Sequence, residues 1–261
     1  VCFGLLLGCE SEAPVELEGR TEAPMVAAAL RALRPEPLIE LVNNPRAFVQ
    51  VGAACPAVLS VPKVDDGLRE SWVGGCTTAD GLVFEGRLEL YDGPESAWVS
   101  GEGFAVRRSD PLHSDPLHGD KLLFALDGSV ELEEQGELVL IDAAASWCGG
   151  PGPACASGLT TIDLSFTLYL AADAEAEGGP LDRYEATVTG AVDTALAPLY
   201  VEGAWRVDDS LCPSEPLGGK ISLRGRDRPL VDLDGATRCD GCASWTLQGE
   251  LMGSTCGLGE R

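Results

Sequence analysis

The feature that most constrains this chain is a period of two. Ile162, Leu164, Phe166, Leu168 and Leu170 give its longest clean alternation. The same pattern recurs. Leu82, Phe84, Leu88 and Leu90 alternate with Glu85, Arg87 and Glu89. Leu122, Phe124, Leu126, Val130 and Leu132 share one parity, while Asp127, Ser129, Glu131 and Glu133 share the other. Tyr184, Ala186 and Val188 oppose Glu185, Thr187 and Thr189, and Ile221, Leu223, Val231 and Leu233 extend the series. Successive side chains of a strand point to opposite faces, so each run predicts a strand with one apolar and one wet face. That is the signature of an antiparallel sheet, because a buried parallel sheet would be apolar on both faces. Turn chemistry separates the runs at Asp92-Gly93-Pro94, Glu177-Gly178-Gly179-Pro180, Gly218-Gly219 and Asp234-Gly235.

One stretch breaks the pattern. Residues 25–33, MVAAALRAL, are Ala- and Leu-rich, with Pro24 before them and Pro35 after, which predicts a short N-terminal helix. Leu38 to Val42 adds a further turn before Asn43-Asn44-Pro45. The expected fold is therefore all-β, an antiparallel sandwich or partly closed barrel of about ten to twelve strands behind that helix. A weak internal repeat runs through it. Trp72, Trp147, Trp205 and Trp245 each follow a small residue and precede Cys76, Cys155, Cys212 and Cys256 at uneven spacing. These Trp are expected to pack in the core at strand ends rather than to bind sugar.

Charge removes whole classes of partner. With 42 acidic residues against 18 basic ones the net charge is −24, which opposes phosphate backbones and anionic lipid headgroups. An apolar fraction of 45% rules out a disordered chain.

The N-terminus carries an address. Residues 1–8 are apolar and uncharged, too short to span a bilayer, and match the end of a secretory signal peptide whose cationic start is missing. Leu6-Leu7-Gly8-Cys9 resembles the lipobox of bacterial lipoproteins. The resemblance implies cleavage before Cys9 and a diacylglycerol on its thiol. In such lipoproteins an Asp after the Cys favours inner-membrane retention, and Glu10 stands there instead, so the resemblance implies the outer membrane, facing the periplasm or the exterior. Residues 9–24 then form anchor and tether: ESEAPVELEGRTEAP has five Glu and two Pro without any period. Residues 25–261 are the folded domain.

Eight cysteines remain in that domain: Cys55, Cys76, Cys148, Cys155, Cys212, Cys239, Cys242 and Cys256. An even count in an exported chain reads as four disulfides. Sequence cannot choose among the pairings, but locality favours Cys55–Cys76 and Cys148–Cys155, with Cys212/Cys239 and Cys242/Cys256 each bracketing a hairpin. A redox reading of Cys239-Asp240-Gly241-Cys242 needs a helix N-terminus to lower the thiol pKa, and here strands flank the motif. A zinc reading lacks a second paired spacing.

Other candidate sites are sparse. The tandem SDPLHSDPLHGD places Asp110, His113, Asp115, His118 and Asp120 in one loop, a donor set suited to zinc, nickel or copper. A duplicated, Pro-turned surface loop accounts for it without metal, so neither metal nor cofactor is expected. Asp232-x-Asp234-Gly235 resembles half a calcium loop, but Ala243 stands where the bidentate Glu belongs. No hydrolase, kinase or dinucleotide motif occurs in a fitting context. The expectation is a non-enzymatic, lipid-anchored envelope protein of structural or interaction type, whose partners are the membrane and an envelope protein or glycan, not nucleic acid. The runner-up is a binding module holding an apolar or glycan ligand within a curled sheet. A hydrolase or redox enzyme and an outer-membrane β-barrel stand behind these. A large lined cavity would favour binding, and a filled interior would argue against it.

Overall fold

The structure, a computed structural model, describes residues 25–49, 54–64, 67–109, 120–148, 155, 159–171, 181–193, 198–212, 215–224, 229–233, 239 and 242–256. The helical prelude is as expected and slightly longer. Residues 25–32 are helical (α1), Glu36–Asn43 form α2 and Pro45–Phe48 add a turn, α3. Pro37 in the first turn of α2 and Pro45 at the start of α3 stand where a missing N–H costs nothing. On α2 the spacing of Leu38, Ile39, Leu41 and Val42 makes one apolar stripe, and all four are buried.

Everything after it is sheet. The strands are β1 (Ala57–Val64), β2 (Gly67–Val73), β3 (Cys76–Thr77), β4 (Leu82–Asp92), β5 (Ser96–Ser109), β6 (Asp120–Gln135) and β7 (Leu138–Cys148). They continue as β8 (Thr160–Leu170), β9 (Arg183–Asp193), β10 (Pro198–Asp208), β11 (Pro216–Arg224), β12 (Pro229–Leu233), β13 (Cys242–Leu247) and β14 (Glu250–Cys256). All fourteen lie in one antiparallel sheet, in sequence order except that short β3 pairs with β4 outside the main path. The expected all-β class holds. The sandwich does not, because the strands form one sheet rather than two, and the count exceeds ten to twelve. Among the described residues the path is open, with β1 at one edge and β14 at the other, so the single sheet fits the expected partly closed barrel rather than a closed one.

A sandwich needs a second layer, and here the helices supply it. One core cluster joins Ala29 and Leu30 of α1 and Leu38 and Leu41 of α2 to sheet residues from Trp72 on β2 to Trp245 on β13. α2 touches β5 and β6, while Leu30 and Leu33 border a small cavity with Tyr184, Trp205, Ile221 and Leu233 on β9 to β12. A flat sheet this wide would span about 60 Å, and a helix is about 10 Å across. One helical segment can meet strands so far apart only if the sheet curls round it. Phe48 meets Phe124 at 6.2 Å between ring centroids, Phe104 meets Phe124 at 6.1 Å, and Phe166 meets Trp205 edge-on at 6.4 Å.

Glycine-centred bulges supply part of the curl. Gly86 (φ 65°) and Gly103 (φ 54°) face each other across β4 and β5, where the register slips. A second slip corrects the sequence reading of β6. Val106 pairs with Phe124 and Arg107 with Leu122, which leaves Leu123 out of the ladder. Leu123 therefore packs on the main core, and Leu122 joins Ala105, Ala125, Cys148 and Cys155 in a satellite cluster on the opposite, convex face. Leu122 does not share a face with Phe124.

The convex face is charged and paired across strands. Arg69 meets Glu89 at 2.8 Å, Arg107 meets Glu85 at 3.2 Å, and Lys220 meets Asp232 at 3.5 Å. Such exposed pairs contribute about 0–1 kcal/mol each and serve mainly to keep the face wet. Near the β1 edge, Arg46 of α3 lies over the buried Trp72 ring at 5.4 Å and bonds Glu70, which also accepts from Trp72 Nε1. This knot closes the core beside the first strands.

Candidate functional site

Three disulfides join Cys55 to Cys76, Cys148 to Cys155 and Cys212 to Cys239, the pairings that locality favoured. Cys242 is disulfide-bonded as well, and Cys256 is its cross-strand neighbour in the β13–β14 ladder. Bridges of this number mark an exported protein of an oxidising compartment. They also decide the C-x-x-C motif. Cys239 is bonded to Cys212, so Cys239 and Cys242 do not form a redox pair with each other, and β12 and β13 flank them as expected. Among the described residues, no helix is long and apolar enough to cross a membrane.

The other sequence candidates separate in space. Cys9, Asp110, His113, Asp115 and His118 lie outside the described residues. Asp120 begins β6. The half calcium loop reduces to Asp232, which faces Lys220 on β11, since Asp234 and Gly235 are outside the described residues. Among the described residues, no three His, Cys, Asp or Glu side chains gather where they could hold a metal ion. Trp72, Trp205 and Trp245 are buried and Trp147 packs on the core, so the Trp set packs as expected.

Among the described residues, a small cavity of about 40 Å³ lies on the concave side of the sheet, where the α1–α2 turn meets β9 to β12. Arg34, Glu36, Tyr184 and Glu215 bring polar groups to walls that are otherwise apolar. Tyr184 Oη donates to Glu36 Oε1 at 2.8 Å, and Arg34 Nε lies 3.9 Å from Glu36 Oε2. Glu215 is 2% exposed, with Oε2 3.6 Å from Cys212 Sγ. This space suits one to three waters and is far below the roughly 300–1,000 Å³ of ligand pockets. The curled sheet encloses its own helices. Nearby, on the β9–β10 pair, Asp208 accepts from Ser210 Oγ and from Arg183 Nε at 2.9 Å. The Ser210 hydroxyl, helped by the Arg183 charge, holds the Asp208 carboxyl below its ordinary range against the opposing effect of burial.

The larger concavity lies on the convex face, a groove of about 390 Å³ across β8 to β11. Two cross-strand rows build it. Asp163 is opposite Ala191, Ala191 opposite Tyr200 and Tyr200 opposite Arg224. In the adjacent row Ser165 is opposite Thr189, and Thr189 is opposite Glu202. Small residues therefore floor the middle, with Tyr200 standing 67% exposed on one side and Asp163 on the other. Arg224 Nη2 meets Glu202 Oε2 at 2.5 Å, and Ser165 Oγ donates to Asp142 Oδ1 at 2.5 Å, so both polar walls are held in place. Gly190 (φ 138°) sits at the floor, where a Cβ would lie 2.0 Å from the Asp163 carbonyl oxygen. Sequence reasoning missed this groove because its residues sit on four strands and meet only through register. The one available signal was a tyrosine at a wet position, Tyr200, amid carboxylates and hydroxyls. No family model, curated protein or solved structure matches the chain.

Proposed function

We propose that this is a lipid-anchored envelope protein that works by presenting its convex sheet face to a partner and performs no catalysis. The observation that carries the reading is the packed concave face: among the described residues α1 and α2 join one core cluster with the sheet, and the cavity where their turn meets β9 to β12 is only about 40 Å³. A ligand held inside the curl has no room there, which favours the interaction reading over the enclosed-ligand one. The bridges support export, and the Leu6-Leu7-Gly8-Cys9 lipobox followed by Glu10 supports attachment to the outer membrane through Cys9. Acyl chains contribute about 0.8 kcal/mol per buried CH₂, so more than one chain holds firmly where a single chain is marginal. The acidic, Pro-containing composition of residues 10–24 supports a tether between that anchor and the domain.

Radiolabelled palmitate tests the anchor. The full-length precursor should incorporate label and fractionate with outer membranes, and Cys9→Ala should be exported without label. Absence of label on an exported wild-type protein refutes the anchor. Titration with an environment-sensitive apolar dye tests the filled interior: native protein should give no saturable signal, and saturable uptake would restore the enclosed-ligand reading.

A further inference from the structure

We propose that the convex groove across β8 to β11 is a carbohydrate-binding site that takes a neutral pyranose unit of a glycan. The inference rests on the convex face being the presenting surface and adds the chemistry of what it takes. A pyranose ring has one face of C–H groups and a rim of hydroxyls. It is held by an exposed aromatic ring under the C–H face and by planar polar groups at the rim. Tyr200 supplies the ring. Its cross-strand neighbour Ala191 is too small to screen it, and Asp163 stands two strand spacings away, about 10 Å. The rim groups are Asp163 and Glu202 as acceptors, Arg224 as donor, and the hydroxyls of Ser165 and Thr189.

Preorganisation favours this use. Ser165 gives its proton to Asp142, so its oxygen lone pairs are left to accept from a sugar hydroxyl. Glu202 and Arg224 already lie paired across β10 and β11, which sets both at the rim beside Tyr200. Charge selects against other occupants. The Glu202–Arg224 pair compensates itself, which leaves Asp163, with Asp142 behind Ser165, as the net negative charge at the groove and disfavours an anionic ligand in a chain of net charge −24. A basic peptide would find Asp163 in the groove and Asp142 behind Ser165, but no apolar pocket for a side chain among the lining residues.

Isothermal titration of the full chain carrying Cys9→Ala tests the site with three neutral probes: chitotetraose, cellotetraose and maltotetraose. At least one should bind with a dissociation constant of about 1 mM or below. Tyr200→Ala should weaken it by about tenfold, the effect of losing one aromatic stack. Tyr200→Trp should retain binding. Tyr169→Ala removes a second exposed tyrosine, on β8, 55% exposed and outside the groove, and should change nothing. Failure of all three probes to bind overturns the proposal, as does equal weakening by Tyr169→Ala. Binding of tetralysine in place of the sugars overturns it too and points to a basic peptide. The unlipidated chain makes this result independent of the palmitate experiment, so the glycan site and the anchor can fail separately.

Discussion

Truncating Leu41 to alanine probes the claim that the helices are the second layer of this fold. Leu41 is fully buried on α2, which packs on β5 and β6. The change removes three carbons from the interior, worth about 2.4 kcal/mol of transfer free energy at about 0.8 kcal/mol each. A residual cavity adds to that, because curled sheet and helix can relax only in part, and the total comes to about 3–4 kcal/mol. For a chain of this size each kcal/mol lowers Tm by about 2–4 °C, so the expected fall is about 6–16 °C. Urea unfolding with the disulfides intact, followed by the fluorescence of buried Trp72, Trp205 and Trp245, gives the free energy directly. Leu251→Ala on edge strand β14 is the control. Leu251 is 71% exposed and its loss should stay within about 0.5 kcal/mol. If Leu41→Ala also stays within about 0.5 kcal/mol of wild type, the helices do not cover the concave face of the sheet.

Further outcomes follow from particular residues. The Cys55–Cys76 and Cys148–Cys155 bridges span 21 and 7 residues, so loop closure assigns them about 3.3 and 2.4 kcal/mol. Paired Cys→Ala variants should rank in that order in urea, and a larger loss from the shorter loop would contradict loop closure as the cause. Gly128 has φ 111° and a Cβ there would lie 2.2 Å from the Ala144 carbonyl oxygen, whereas a Cβ at Gly103 (φ 54°) meets nothing within 4 Å. Gly103→Ala should cost about 1–2 kcal/mol by backbone conformation alone, and Gly128→Ala more in thermal melts. Equal losses would show that the close approach to β7 is unimportant. The folded-state pKa of Asp208 is depressed, so the unfolded chain binds the extra proton. The stabilisation from Asp208 is full above its unfolded value of about 3.9 and is lost as pH falls through the lower folded value. Asp208→Asn should therefore destabilise at pH 7 and flatten the stability profile below about pH 4, and an unchanged acid limb would remove Asp208 from the account.

How much of this was legible in the sequence differs from strand to strand. On β8 the alternation Ile162, Leu164, Phe166 and Leu168 survives intact as four buried residues, because nothing interrupts the ladder to β7 or β9. On β6 the same reasoning misplaced Leu122, because pattern counting assumes an unbroken pleat and a bulge inverts parity beyond it. The number of sheets was not readable either. A period of two says that one face is covered but not by what, and the amphipathic stripe of α2 had the right apolar residues to be the cover. The disulfide pairs at short separation were readable since short loops close cheaply. The groove was not. Asp163, Thr189, Tyr200 and Arg224 become neighbours only once four strands are in register, and register is a property of the pairings rather than of any one run.

The simple strand order has a consequence for how the molecule is made. From β4 to β14 every strand hydrogen-bonds to the one before it, so each new hairpin can zip onto a finished edge with short loop closures and low contact order for a β-protein. The helices stand at the opposite extreme. They precede the entire sheet in the chain, yet they meet strands from β2 to β12. A chain delivered N-terminus first presents Leu30, Leu38 and Leu41 before any sheet exists to receive them. Assembly is therefore vectorial in the sheet and delayed at its centre. The interval before the last strands arrive is when this protein most needs protection from aggregation.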